Sequence, residues 1–196
     1  MTTTTFGLIR HGQTNWNAER RLQGITDIPL NDVGRRQARD AVEVLLAYEW
    51  DVVVSSPLSR AAETADVIAA GLGLPVVRRV PELRERDFGP AEGMRSGPEL
   101  EELRIRGGFR GAEAEGEAAT RGLAALEVLA KDFAGARIVV ITHGTLIRVS
   151  LSQALERKIE TISNASLNVV HHSPGAWELK FLNGSFVEPA EPTPGP

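Results

Sequence analysis

The stretches Leu8-Ile9-Arg10-His11-Gly12-Gln13-Thr14 and Val140-Ile141-Thr142-His143-Gly144 each place a histidine and a glycine directly after an apolar, strand-like run. A strand delivers its last side chains to one edge of a sheet. Two such strands side by side would bring His11 and His143 together at a carboxyl edge, which is where open α/β sheets keep their ligands. A third run, Asp51 to Val54, leads into Ser55-Ser56-Pro57-Leu58-Ser59-Arg60. With Arg10 and Arg60, that edge would gather two imidazoles and two guanidiniums, a set suited to a phosphate. One His-Gly after a strand is ordinarily a loop histidine. Two in the same context, with an arginine on the helix that should follow the third strand, point to a site.

Working outward, strand-like runs cover Phe6 to Ile9, Asp51 to Val54, Leu74 to Val77, Arg137 to Ile141, Ser166 to His171 and Ala176 to Phe181. Helical spacing separates most of them. Asn31 is a plausible N-cap for a helix with Val33, Ala38, Ala41, Val42, Leu45 and Leu46 on one face. Further helices fit Leu58 to Ala70, Glu117 to Phe133 and the stretch after His143-Gly144. This alternation predicts an α/β three-layer sandwich, with a mostly parallel sheet and helices on both faces. Ser173-Pro174-Gly175 separates the last two runs as a hairpin turn would, which adds at least one antiparallel edge strand. Residues 1–187 are expected to form a single domain, and the Pro- and Glu-rich 188–196 a disordered tail. The Gly-, Arg- and Glu-rich stretch 95–116, with a short helical candidate near Glu99 to Ile105, is placed as a lid or insertion over the site.

Composition removes several functions. At 196 residues one domain is expected, on a prior of about 150 residues per domain. Nothing approaches the run of about 18 apolar residues that a membrane helix needs, and Met1 to Thr5 lack the basic and apolar regions of a signal peptide. A cytoplasmic protein without a membrane partner is the expectation. The chain has no cysteine, so a cysteine nucleophile, disulfides and thiolate zinc sites are excluded. A net charge of −4 gives no general attraction to nucleic acid and suits a small anionic partner drawn by local arginines. No phosphate-binding glycine loop ending in Lys and Ser or Thr is present, nor a dinucleotide GxGxxG after a strand. A homodimer is left open.

A phosphomonoester is a dianion, so an attacking group must reach phosphorus against negative charge, and cationic donors must surround the equatorial oxygens. Arg10 and Arg60 can supply them, Arg60 from the first turn of its helix, where free backbone N–H groups also favour an anion. His11 is the candidate nucleophile: a neutral imidazole attacks through one nitrogen while the other donates its hydrogen to a carbonyl. His171 and His172 are neighbours on a strand and point to opposite faces, so they are expected to be structural or exposed. No metal-ligating cluster is apparent, and the chemistry needs neither a metal nor another cofactor.

The blocks LIRHGQTNWN, RLQGITDIPLNDVGRRQA, SSPLSRAAETA, ELRERDFGPAEG and VVITHG resemble, in order, those of the histidine phosphatase superfamily, the phosphoglycerate mutase-like proteins. The resemblance runs from about residue 6 to about residue 182. It implies a phosphohistidine intermediate on His11, with His143 mainly a second donor to the transferring group. It implies that Glu85 is the acid that protonates the leaving oxygen, and that Thr14, Asn17, Gln23 and Gly24, with Gly12 and Gly144, contact the substrate. Where many members carry an aromatic residue before Glu92-Gly93, this chain has Pro90-Ala91. Where many carry Gly-Gly-Glu-Ser, it has Glu115-Gly116-Glu117-Ala118. Both departures fall at the substrate end. The expectation is a metal-independent phosphomonoester hydrolase acting on small phosphorylated metabolites. A cofactor-dependent phosphoglycerate mutase is the alternative, and a non-catalytic phospholigand-binding domain a third reading.

Overall fold

The structure, a computed structural model, describes residues 2–187; the expected tail lies outside them. The elements, in chain order, are β1 (Thr4–Arg10), α1 (Asn15–Ala18), α2 (Asp32–Leu45), β2 (Val52–Ser55), α3 (Ser59–Leu72), β3 (Val76–Arg79), α4 (Pro98–Glu102), β4 (Arg104–Ile105), β5 (Gly108–Phe109), α5 (Glu115–Asp132), β6 (Arg137–Thr142), α6 (Gly144–Ala154), β7 (Leu167–Ser173), β8 (Ala176–Leu182) and β9 (Ser185–Phe186). Seven strands form one sheet in the order β3-β2-β6-β1-β7-β8-β9. The first four run parallel, while β7, β8 and β9 add an antiparallel flank. The mixed α/β sheet is as expected, with three antiparallel strands where at least one was foreseen.

The two-residue period of the central strands sorts their side chains into two cores. Phe6 and Leu8 of β1, with Ile138 and Val140 of β6, face α5 and α6. Ile9, Val139 and Ile141 face the opposite way, against Ala41 and Leu45 of α2 and Ala61, Ala65 and Ile68 of α3. Both faces of the central strands are therefore buried, and their sequences read as continuous apolar runs rather than alternations.

Boundaries differ from the sequence reading where end chemistry decides them. β3 begins at Val76 rather than Leu74: Gly73 ends α3 in the left-handed conformation, and the Leu74 N–H is spent on the Ala69 carbonyl. α5 begins at Glu115 rather than Glu117, because the Glu117 carboxylate reaches back to accept the Ala114 N–H at 3.1 Å. Asn31 caps α2 as expected, accepting the Gly34 N–H at 2.9 Å.

The segment placed as a lid is built from α4 and the β4–β5 hairpin, around Phe88, Ala91, Leu100 and Phe109. The helix is shorter than expected, and the hairpin was not foreseen. Arg86 staples this segment, donating to the Glu113 and Gly107 carbonyls and to the Glu115 carboxylate, with its guanidinium 5.3 Å from the Phe88 ring centroid. His171 and His172 pair with Thr5 and Thr4, at the sheet edge opposite His11.

The turn after His11 is clamped against α2. A Cβ on Gly34 would lie 2.1 Å from the Gln13 carbonyl oxygen. Helix propensity alone would make Gly34→Ala stabilising by about 1 kcal/mol. The backbone clash predicts the opposite sign, a loss of about 1–3 kcal/mol in urea unfolding.

Candidate active site

The carboxyl ends of β1, β2 and β6 meet at one edge, and the sequence-predicted residues converge there. Arg10 closes β1, His11 follows it, Arg60 is the second residue of α3, and His143 precedes the first residue of α6. The His11 and His143 ring centroids are 5.2 Å apart. His11 keeps 3% exposure, and His143 and Arg60 have none.

The hydrogen bonds fix the tautomer of His11. Its Nδ1 lies 2.7 Å from the Gly12 carbonyl, which can only accept, so Nδ1 carries the hydrogen. Arg60 Nε donates to His11 Nε2 at 3.2 Å, so Nε2 presents its lone pair. Burial, then the Arg60 and Arg10 charges, hold the imidazole well below its ordinary 6.5. Burial, Arg60 and His11 lower His143 in the same way. Burial also pulls Arg60 down to about 10, against the opposing charges of Glu85, Asp27 and Glu92, and it stays cationic at neutral pH.

His143 Nε2 lies 2.8 Å from Ser56 Oγ. That hydroxyl also accepts the Leu58 N–H at 3.3 Å, and with its own hydrogen directed to the imidazole the proton of His143 sits on Nδ1. Arg10 Nη1 donates to the Ile162 carbonyl at 2.7 Å. Thr14 Oγ1 and Asn17 Nδ2 both donate to Gln23 Oε1, at 2.8 and 2.9 Å, which turns the Gln23 amide so that Nε2 is its free end. His143 Nδ1, Arg10 Nε and Gln23 Nε2 are buried donors without a protein partner. Buried donors are rarely left unpaired, and three together mark a place built for oxygens.

Glu85 is 5% exposed. Its Oε1 accepts the Arg86 and Leu146 N–H groups and its Oε2 accepts that of Thr145 at 3.0 Å, which seats it at the start of α6. It lines a cavity of about 230 Å³ with Arg10, Asn17, Gln23, Gly144 and Arg148. A larger cavity, about 580 Å³, opens at the opposite edge between Trp50, Phe181 and Phe186 and includes none of these residues.

Several predicted contacts act through others. Thr14 is fully buried and reaches the site through Gln23. The Gly12 N–H is spent on Thr64 Oγ1 at 3.2 Å. The Gly24 carbonyl accepts from Arg60 Nη2 at 2.6 Å, and the Thr26 carbonyl from Nη1 at 3.0 Å. Gly144 gives Arg10 room, since a Cβ there would stand 3.1 Å from Arg10 Nε.

Residues the sequence reading missed complete the frame. Asn164 Nδ2 donates to the His11 carbonyl at 2.9 Å. Arg121 of α5 donates to the Glu82 and Arg84 carbonyls at 2.6 and 2.9 Å and holds the Glu85 loop. Glu92 accepts the N–H groups of Ile25, Thr26 and Phe88 and the Thr26 hydroxyl, fastening the loop that grips Arg60. Glu92 and Ser56 stood inside quoted motifs without a role, whereas nothing near Asn164 or Arg121 in sequence announces them. Among the described residues, no three His, Asp or Glu converge as metal ligands, and no helix is long and apolar enough to cross a membrane.

The chain is 34% identical over 187 residues to an uncharacterized phosphatase of Bacillus subtilis (strain 168), covering 92% of this chain and 94% of that one. It is 38% identical over 190 residues to a metal-independent phosphoserine phosphatase of Arabidopsis thaliana, covering 89% and 79%. Among solved structures, the mycobacterial glucosyl-3-phosphoglycerate phosphatase in complex with VO3 superposes with a TM-score of 0.81 at 27% identity, covering 94% of this chain and 100% of that one. The model of the histidine phosphatase superfamily (branch 1) matches residues 6–185, and with the strand-end histidines and arginines in place, the chain belongs to that superfamily.

Proposed function

We propose that the protein is a metal-independent phosphomonoester hydrolase that works through a phosphohistidine on His11. The observation that carries this reading is the state of His11: neutral, with Nδ1–H fixed on the Gly12 carbonyl and the Nε2 lone pair presented beside the Arg60 guanidinium. Such an imidazole is poised to attack an electrophile, and its surroundings suit an anionic one.

In the first step the Nε2 lone pair bonds to phosphorus and the ester P–O bond breaks. Arg60 Nε turns from Nε2 to a phosphoryl oxygen. Arg10 Nε, His143 Nδ1 and Gln23 Nε2 donate to the oxygens on which charge concentrates. The leaving oxygen takes a proton from Glu85, whose Oε2 has a single backbone donor and keeps a position for that proton. In the second step Glu85, now a carboxylate, removes a proton from water. The water oxygen bonds to phosphorus, the P–N bond breaks, and its electron pair returns to Nε2. The relatives named as phosphatases support this reading, and a cavity of about 230 Å³ beside Glu85 suits a small phosphorylated metabolite.

A mutase would instead return the phosphoryl group to a second hydroxyl. On rapid quenching, wild type is expected to carry an acid-labile phosphoryl group that His11→Ala lacks. Given 3-phosphoglycerate and a bisphosphoglycerate primer, wild type should release inorganic phosphate at least as fast as it forms the isomer. Isomerisation with negligible phosphate release would transfer the protein to the mutase reading, and a folded, active His11→Ala would end both.

Glu85→Gln is expected to slow alkyl phosphates by about 10²-fold or more while barely changing aryl phosphates, whose leaving groups need no proton. Equal losses on the two classes would remove Glu85 from proton transfer.

A depressed imidazole pKa means that the neutral form persists as pH falls. In phosphate-free buffer, the His11 and His143 ring resonances should hold their neutral positions from about pH 8 to about pH 5.5, where an ordinary histidine titrates. A midpoint near the ordinary value for His11 would contradict its buried, cation-flanked setting.

A further inference from the structure

The Arg10 side chain has one hydrogen-bond partner among the described residues, the Ile162 carbonyl, which accepts from Nη1 at 2.7 Å. A guanidinium is planar and rigid, so the bond that fixes Nη1 also fixes where the free Nε–H points. Whatever holds Ile162 therefore bears on the oxygen that Arg10 Nε meets. Ile162 lies in the segment between α6 and β7, which has neither strand nor helix of its own.

Asn183, in the turn between β8 and β9, ties that segment on both sides of Ile162. Its Nδ2 donates to the Thr161 carbonyl at 2.9 Å, and its Oδ1 accepts the Ser163 N–H at 2.9 Å and the Ser166 hydroxyl at 3.1 Å. The turn is in its own right anchored to β1. Asn168, fully buried and in register with Leu8, donates to the Leu8 carbonyl at 3.1 Å and accepts the Asn183 N–H at 2.8 Å. A closed circuit results: it leaves β1 at Leu8, passes through Asn168, Asn183 and residues 161–163, and returns to β1 at Arg10.

The turn alone does not account for the amide contacts. Asn183 and Gly184 stand at φ 48° and 81°, the two left-handed residues that a two-residue hairpin asks for. That demand falls on the backbone, and glycine would meet it as well. The three bonds of the Asn183 amide all reach outside the hairpin, to the segment that carries Ile162.

We infer that Asn183 is a positioning residue for phosphoryl binding: by bracketing Ile162 with bonds referred to β1, its amide sets the carbonyl that aims Arg10. The inference rests on the phosphatase reading, in which Arg10 Nε donates to a phosphoryl oxygen. Arg10 acts on the transferred group and not on the leaving oxygen. Loss of its aim therefore weighs equally on esters of every leaving group, unlike loss of Glu85.

Asn183→Gly keeps the left-handed turn and deletes the three amide bonds. It is expected to lower kcat/KM about tenfold on 4-nitrophenyl phosphate and on glycerol 3-phosphate alike, and to weaken inhibition by vanadate by a similar factor. In the free protein the buried Arg10 Nε–H, identified by NMR through its loss in Arg10→Lys, should exchange with water about tenfold faster than in wild type. Asn183→Asp keeps an acceptor toward Ser163 and Ser166 and should fall between the two. A folded Asn183→Gly with wild-type kcat/KM, or with unchanged Arg10 exchange, would overturn the inference, and so would a loss confined to the alkyl ester. Should Asn183→Gly not fold, Asn183→Asp decides by the same measurements. If wild type hydrolyses neither ester, the phosphatase reading fails. Calorimetry with inorganic phosphate then still decides the positioning role, which requires about tenfold weaker binding in Asn183→Gly and is refuted by equal binding.

Discussion

A guanidinium without access to water has to find its partners inside the protein, and the rest of the site is arranged around how Arg60 finds them. Two of its nitrogens, Nη2 and Nη1, donate to the carbonyls of Gly24 and Thr26, and the third, Nε, to Nε2 of His11. The first two bonds bend the 24–26 loop over α3. The third holds the imidazole lone pair where phosphorus would arrive. The Arg60 carbonyl accepts from Thr64 Oγ1, whose oxygen in turn accepts the Gly12 N–H, so the turn after β1 is fastened to the same helix. Removing the cation would leave carbonyls unpaired and the histidine free to rotate, a larger loss than one charge.

The strand order makes this arrangement reachable. β6 lies between β1 and β2, so the histidine following β6 leaves the sheet beside the histidine following β1, on the side from which α3 brings Arg60. Register matters as much as order: Arg10 pairs with Thr142, so His11 and His143 leave the sheet at the same level. A one-residue slip of β1 would turn its buried faces over and send His11 elsewhere.

The candidate site at the sheet edge was legible in the sequence because its residues follow strands, and a strand end is a local signal. Asn31 as a cap and the two glycine-flanked histidines needed no tertiary information. The frame around them did. Asn164 lies far from His11 in the chain, and Arg121 holds the Glu85 loop from a helix whose pattern records only its apolar stripe. The β4–β5 hairpin escaped because two-residue strands have no period to read. Thr14 and Gly12 were legible as belonging to the site. Their action through Gln23 and Thr64 depends on side-chain geometry that no spacing records.

The Glu92 carboxylate binds both sides of a seam: Phe88 on the covering segment, and Ile25 and Thr26 on the loop that grips Arg60. The cover and the loop that grips Arg60 are thus tied at that seam, and beyond it the Leu22 N–H on the Met94 carbonyl, the Arg95–Glu19 pair and Arg86 on the Gly107 carbonyl hold the cover to the same frame. A graft that exchanges this cover between relatives, from Met94 to Ala112, therefore has to carry matching partners for those ties. Between Met94 and Ala112 lie α4 and the β4–β5 hairpin, while Glu113 itself pairs with Arg121. Variation inside that window alters the cover, whereas variation across the seam reaches the loop that grips Arg60 and, through Arg60, the ring of His11.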